Sequence, residues 1–104
     1  MKIGHQKFDK ASSTFIIAEL SANHGGSLEV ALETVRAAKR AGADAIKLQT
    51  YKPETITLRC DKEDFVVSGG TIWDGRTLYD LYQEAHTPWE WHQEIFECAE
   101  QEGL

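Results

Sequence analysis

A chain of 104 residues with 41% hydrophobic and 10% aromatic side chains fits one globular domain with a modest core. Eleven Lys and Arg against seventeen Asp and Glu leave a net charge of −6, which argues against nucleic acid or an anionic membrane as the main partner. An anionic substrate would have to be met by individual lysines rather than by a basic surface.

The first segment, MKIGHQKFDKASST, places charges where a signal peptide needs its apolar stretch, and the following FIIA is too short for a membrane helix. The expectation is a cytoplasmic protein. Residues 15–19 form a short apolar, β-branched run that reads as a strand, and AIKLQ at 45–49 reads as a second. Between them Ser27 stands as an N-cap, Glu29 lies in the first turn, and Leu28, Ala31, Leu32, Val35 and Ala38 recur at helical spacing. Gly42 stops that helix, and a short return leads into Ala45.

Residues 50–76 are less regular, with Pro53, a DKED cluster, Gly69-Gly70 and Asp74-Gly75 as turn signals, and small strands are placed around Phe65–Val67 and Thr71–Trp73. A short helix follows from Thr77 to about Ala85. Thr87-Pro88-Trp89-Glu90 then supplies an N-cap, a proline at the first helical position and a glutamate at the third, a capping box for a last helix. His92, Ile95, Phe96 and Ala99 carry its buried stripe to Gly103, and Leu104 reads as the first residue of a further segment. Cys60 and Cys98, with no C-x-x-C pairing and no secretory context, read as two free thiols.

Two strands joined by a helix make a parallel β-α-β unit of an α/β protein, and both a doubly wound sheet and a (β/α)8 barrel remain open. A barrel takes about 250 residues, so this chain would hold only its first quarter or third. Strand side chains alternate faces. Ile16 and Ala18 with Ile46 and Leu48 are the natural partners of the helix stripe; Glu19, Lys47 and Gln49 are left on the opposite face, at the carboxyl ends of adjacent strands. That edge is where α/β folds bind ligands. A buried Glu19–Lys47 pair kept only for structure is a poor stabiliser, because desolvation offsets the attraction, so the pair is read as functional. Asn23 and His24 in the first βα loop can line a site, whereas Gly25-Gly26-Ser27 is read as a flexible turn rather than an anion cradle. His86, His92 and the aromatics Trp73, Tyr79, Tyr82, Trp89 and Trp91 are read as structural, and no metal-ligand cluster has usable spacing.

The segments IIAELSANHGG and AGADAIKLQTYKPETITL, with E-x-x-x-N-H-x-G and K-x-Q-T at the ends of consecutive strands, resemble the N-terminal region of the sialic acid synthase family. Members of that family condense phosphoenolpyruvate with an N-acetylated sugar. WDGRTLYDLYQEAHTPWEWH resembles the branch that makes pseudaminic acid, and the likeness runs over residues 13–104. The resemblance implies a (β/α)8 TIM barrel followed by an antifreeze-like domain, a homodimer, and a divalent metal, Mn or Mg. The implied substrates are phosphoenolpyruvate and an acylated amino sugar, 2,4-diacetamido-2,4,6-trideoxy-altrose. Residues 1–104 would be the N-terminal part of the barrel domain, incomplete and inactive alone, with the metal-binding histidines beyond Leu104. By the same resemblance Glu19 is the carboxylate beside the reacting centre, Lys47 a cation near phosphoenolpyruvate, Gln49 a sugar contact, and Asn23 and His24 site-lining residues. Three alternatives stand beside this reading: a neuraminate or legionaminate synthase of the same family, a barrel aldolase or lyase with Lys47 as Schiff base, and a non-enzymatic binding module.

Overall fold

The computed structural model describes residues 2–3, 6–9 and 13–104. Its centre is a two-stranded parallel sheet built from β3, Ile17–Ser21, and β4, Ala45–Leu48, joined by helix α1, Leu28–Arg40. Ahead of it, β1 (Lys2–Ile3) and β2 (Gln6–Lys7) form a small antiparallel hairpin. These two-residue strands, Lys-Ile and Gln-Lys, are too short to carry an alternating apolar pattern, so nothing in the sequence announces them.

The first long strand begins two residues later than its apolar run. Asp44 explains the start: its Oδ2 accepts from the Ile16 amide at 2.8 Å while its own amide donates to the Ile16 carbonyl at 2.8 Å. This clip sets the register Ile17↔Ala45, Ala18↔Ile46, Glu19↔Lys47. Helix α1 forms as the pattern dictates. Ser27 Oγ accepts from the Val30 amide at 3.3 Å, and Gly42, at φ 92°, closes the far end with Ala43 N–H donating to the Ala38 carbonyl at 3.0 Å.

The connection after β4 contains one helical turn, α2 (Pro53–Ile56), and a 3-10 turn at Glu63–Phe65. The small strands placed there do not form: Val66 makes a single bridge to Thr77, and 71–73 is a turn held by Asp74, whose carboxylate accepts from the Gly70 and Thr71 amides at 2.8 and 2.9 Å. Helices α3 (Leu78–Ala85) and α4 (Trp91–Glu102) follow. Helix α4 starts later than its capping box predicts, and no side chain caps it. Gly103, at φ 74°, ends it in the same motif as α1, with Leu104 N–H donating to the Ala99 carbonyl at 2.8 Å.

The core lies on one side of the sheet. Leu20, Ala31, Val35, Ile95, Cys98 and Ala99 are buried there, flanked by Leu28, Leu32, Ile46, Leu48, Trp91 and Leu104. Helices α1 and α4 run parallel, since His24, ahead of α1, meets Trp91 at the start of α4, Cys98 meets Leu32 midway, and Lys39 reaches Gly103 at their ends. On the other side the described residues leave the strands open: Ile17, on the Glu19 face, is 52% exposed, with Phe8 packing edge-to-face on Phe15 just ahead of β3. Ile16, expected against the helices, is equally exposed because it precedes the ladder. Phe96 and Trp89, expected to pack, also stand out, Trp89 with the Lys52 ammonium 4.8 Å from its ring centre. The radius of gyration, 16.7 Å, exceeds the ~13 Å of a compact domain this size, which agrees with uncovered apolar surface. Cys60 and Cys98 are both free thiols.

Candidate active site

Glu19 and Lys47 face each other across the β3–β4 register, with Lys47 Nζ donating to Glu19 Oε1 at 2.7 Å. Alternation along the strands puts both on the helix-free face, as the sequence reading required. Their environment differs from that reading. Each side chain is 57% exposed, so the pair is an open surface contact and not a desolvated one. An exposed pair adds about 0–1 kcal/mol to stability, which leaves the two charged groups available to a ligand.

Immediately beyond Glu19 the strand departs from regular pairing. Glu19 pairs with Lys47 and Ser21 with Leu48, so Leu20 has no partner in the ladder and instead sinks into the core. Ser21 takes φ 54°, a left-handed conformation that costs a residue with a Cβ about 1–2 kcal/mol. Its carbonyl accepts from the Gln49 amide at 3.2 Å and from the Thr87 hydroxyl at 3.5 Å. Gln49 is thereby held beside the bulge, exposed, at the same carboxyl edge as Glu19 and Lys47.

His24 does not open onto this edge. It is 1% exposed, packed edge-to-face on Trp91, and both ring nitrogens are engaged. Nδ1 accepts from the Gly26 amide at 3.1 Å, so the proton sits on Nε2, which donates to Thr87 Oγ1 at 3.2 Å. Burial and the nearby His86 hold its pKa below the ordinary 6.5, favouring the neutral ring this arrangement needs. Asn23 is exposed in the turn that follows β3, with its amide donating to the Leu20 carbonyl at 2.9 Å. It borders a cleft of about 350 Å³ whose far wall is Trp73, Glu84 and Ala85, and whose near wall includes Gly25 and Gly26.

Thr87 and His92 are the residues whose place in the site sequence reasoning missed. Thr87 was read as a helix cap; its hydroxyl, fully buried, is taken by His24 and Ser21 instead, which is why the capping box does not form. His92 Nε2 accepts from the Thr50 hydroxyl at 2.7 Å while Nδ1 faces the Pro88 and Trp89 carbonyls at 3.2 Å each. Thr50 directly follows Gln49, and its hydroxyl finds a partner 42 residues away, which no local pattern signals. Among the described residues, no group of three or more His, Cys, Asp or Glu is placed to hold a metal ion, and no helix is long and apolar enough to cross a membrane.

Residues 34–104 match the model of a family described as the NeuB family. Over all 104 residues the chain is 61% identical to the pseudaminic acid synthase of Campylobacter jejuni, 29% of whose length it covers. It is 52% identical over 84 residues, 81% of the chain and 24% of the relative, to the pseudaminic acid synthase of Helicobacter pylori. An N,N'-diacetyllegionaminic acid synthase from Legionella pneumophila is 35% identical over 91 residues, 86% of the chain and 25% of the relative. Among solved structures, the spore coat polysaccharide biosynthesis protein SpsE of Bacillus subtilis superposes with a TM-score of 0.68 at 25% identity, over 100% of this chain and 25% of that one.

Proposed function

This chain belongs to the NeuB family, and from that premise we propose that it forms part of a pseudaminic acid synthase, joining phosphoenolpyruvate to 2,4-diacetamido-2,4,6-trideoxy-altrose with release of phosphate by C–O cleavage. The observation that carries the reading is the Glu19–Lys47 pair at 2.7 Å, open to solvent at the carboxyl edge of two parallel strands, in a chain 61% identical to a pseudaminic acid synthase. Identity to the legionaminic acid synthase is 35%, which favours the pseudaminic over the legionaminic sugar. The placement of α1 and α4 on one face of the sheet supports a barrel, whose helices all lie outside, over a doubly wound sheet with helices on both faces. In that barrel β3 and β4 are the first two strands and the bare face carrying Glu19 and Lys47 lines the interior. The complete enzyme is read as a cytoplasmic homodimer with an antifreeze-like domain.

Attack of the enol carbon on the sugar aldehyde leaves positive charge at C2, which water quenches before phosphate departs. The Glu19 carboxylate stabilises that charge and orients the water; the Lys47 ammonium holds the carboxylate or phosphate of phosphoenolpyruvate. Gln49 offers an amide to the sugar. Asn23 lines the approach, and His24 supports it from below rather than touching substrate. The family resemblance implies a divalent cation. The described residues of this chain do not fit one, since both nitrogens of His24 and of His92 are already engaged and no three His, Cys, Asp or Glu among them converge.

The test is phosphate release from phosphoenolpyruvate by the complete synthase, run with the altrose-derived sugar and its legionaminic counterpart in parallel. Glu19→Gln is expected to lower turnover by roughly a hundredfold or more with substrate binding retained, the scale seen when one charge-stabilising group is removed. Unchanged turnover would return Glu19 to a structural role, and preference for the legionaminic sugar would move the chain to that branch.

A further inference from the structure

The short segment after α3 and the first turn of α4 together touch the carboxyl ends of both candidate catalytic strands. At one end, Thr87 links His24 to the carbonyl of Ser21, the bulge residue two positions after Glu19. At the other, His92 receives the Thr50 hydroxyl, one position after Gln49. The two histidines are held in opposite tautomers. His24 accepts at Nδ1 from Gly26 N–H, so its proton is on Nε2; His92 has carbonyls at Nδ1, so its proton is there and Nε2 accepts. Hydrogen bonding therefore runs one way in each arm: from Gly26 through His24 and Thr87 to Ser21, and from Thr50 through His92 to Pro88 and Trp89.

We propose that Thr87 and His92 are positioning residues, through which the entry to α4 fixes where β3 and β4 present Glu19, Lys47 and Gln49. The inference rests on the synthase reading of those three residues. A left-handed Ser21 persists only where its surroundings over-determine it, and its carbonyl has two donors, Gln49 N–H from β4's end and the Thr87 hydroxyl from the α4 entry. A valine would match Thr87 in shape but leave the buried Nε2–H of His24 without an acceptor and the Ser21 carbonyl with one donor fewer, so the residue is needed for its hydrogen bonds and not for its volume, and a capping threonine would have turned toward α4. Strand ends held from below by a rigid element give the sub-ångström placement that charge stabilisation requires.

The test compares Thr87→Val, Thr87→Ser, Thr50→Val and Glu19→Gln in the complete synthase. Thr87→Val is expected to lower kcat roughly tenfold with KM for phosphoenolpyruvate changed less than about twofold, Thr87→Ser to restore most of it, and Thr50→Val to act in the same direction more weakly. Wild-type kcat in Thr87→Val, or a loss that Thr87→Ser fails to restore, overturns the proposal. If Glu19→Gln is inactive while Thr87→Val is not, only the positioning role falls; if Glu19→Gln is fully active, the synthase reading of Glu19 falls and this role with it.

Discussion

The two faces of the β3–β4 sheet are built on different terms. One is closed by α1 and α4, with Leu20, Val35 and Ile95 at most 2% exposed; the other leaves Ile17, Glu19 and Lys47 more than half exposed. Neighbouring residues of one strand, Glu19 and Leu20, go to opposite sides. The packed face decides where the backbone lies, and strand alternation from Leu20 then puts Glu19 on the open face, opposite Lys47. A site of this kind can change its chemistry at Glu19 or Lys47 with little effect on folding, whereas a change at Leu20 falls on the core.

Substitutions can break or sharpen that contrast. Truncation on the closed face should cost most: Ile95→Ala, at a fully buried position, is expected to lower unfolding free energy by about 2–5 kcal/mol in urea denaturation, and a cost below 1 kcal/mol would mean the core has room to collapse. Next comes the buried histidine beneath the boundary between the faces. Because the pKa of His24 lies below 6.5 in the fold, the unfolded chain binds its proton more readily, and the His24 contribution to stability is complete above pH 6.5 and declines as pH falls from there toward the folded value. His24→Asn should flatten that part of the stability–pH curve, and an unaltered slope would remove His24 as its source. On the bare face, Lys47→Met should change stability by less than about 1 kcal/mol, since the pair it breaks is exposed. The smallest effect is expected at Ile17→Thr, within about 0.5 kcal/mol; a larger loss would show that the face is covered in solution.

Helix α1 was legible because everything that makes it is local: the Ser27 cap, the apolar spacing, the stop at Gly42. The shared face of Glu19 and Lys47 was legible because strand alternation is a strict two-residue rule. What local rules could not supply was competition for a group at a distance. Thr87 has the sequence of a helix cap, and 63 residues separate it from the histidine that takes its hydroxyl. Likewise, the burial assumed for the Glu19–Lys47 pair came from the idea of a covered sheet, and the face is bare. The exposure of Phe96 and Trp89 has the same origin, since hydrophobic character predicts that a side chain seeks cover but not whether cover is present.

The parallel run of α1 and α4 has an electrical consequence. Two helices side by side in the same direction bring like poles together, and here both negative carboxyl ends lie at the same corner of the molecule. Lys39, from the last turn of α1, donates to the Gly103 carbonyl of α4 at 2.8 Å, so one exposed ammonium serves both ends at once. The corner opposite the candidate site is thus held partly by a screened charge, and added salt or acetylation of Lys39 is expected to loosen the helix pair there while leaving the edge that carries Glu19 and Lys47 untouched.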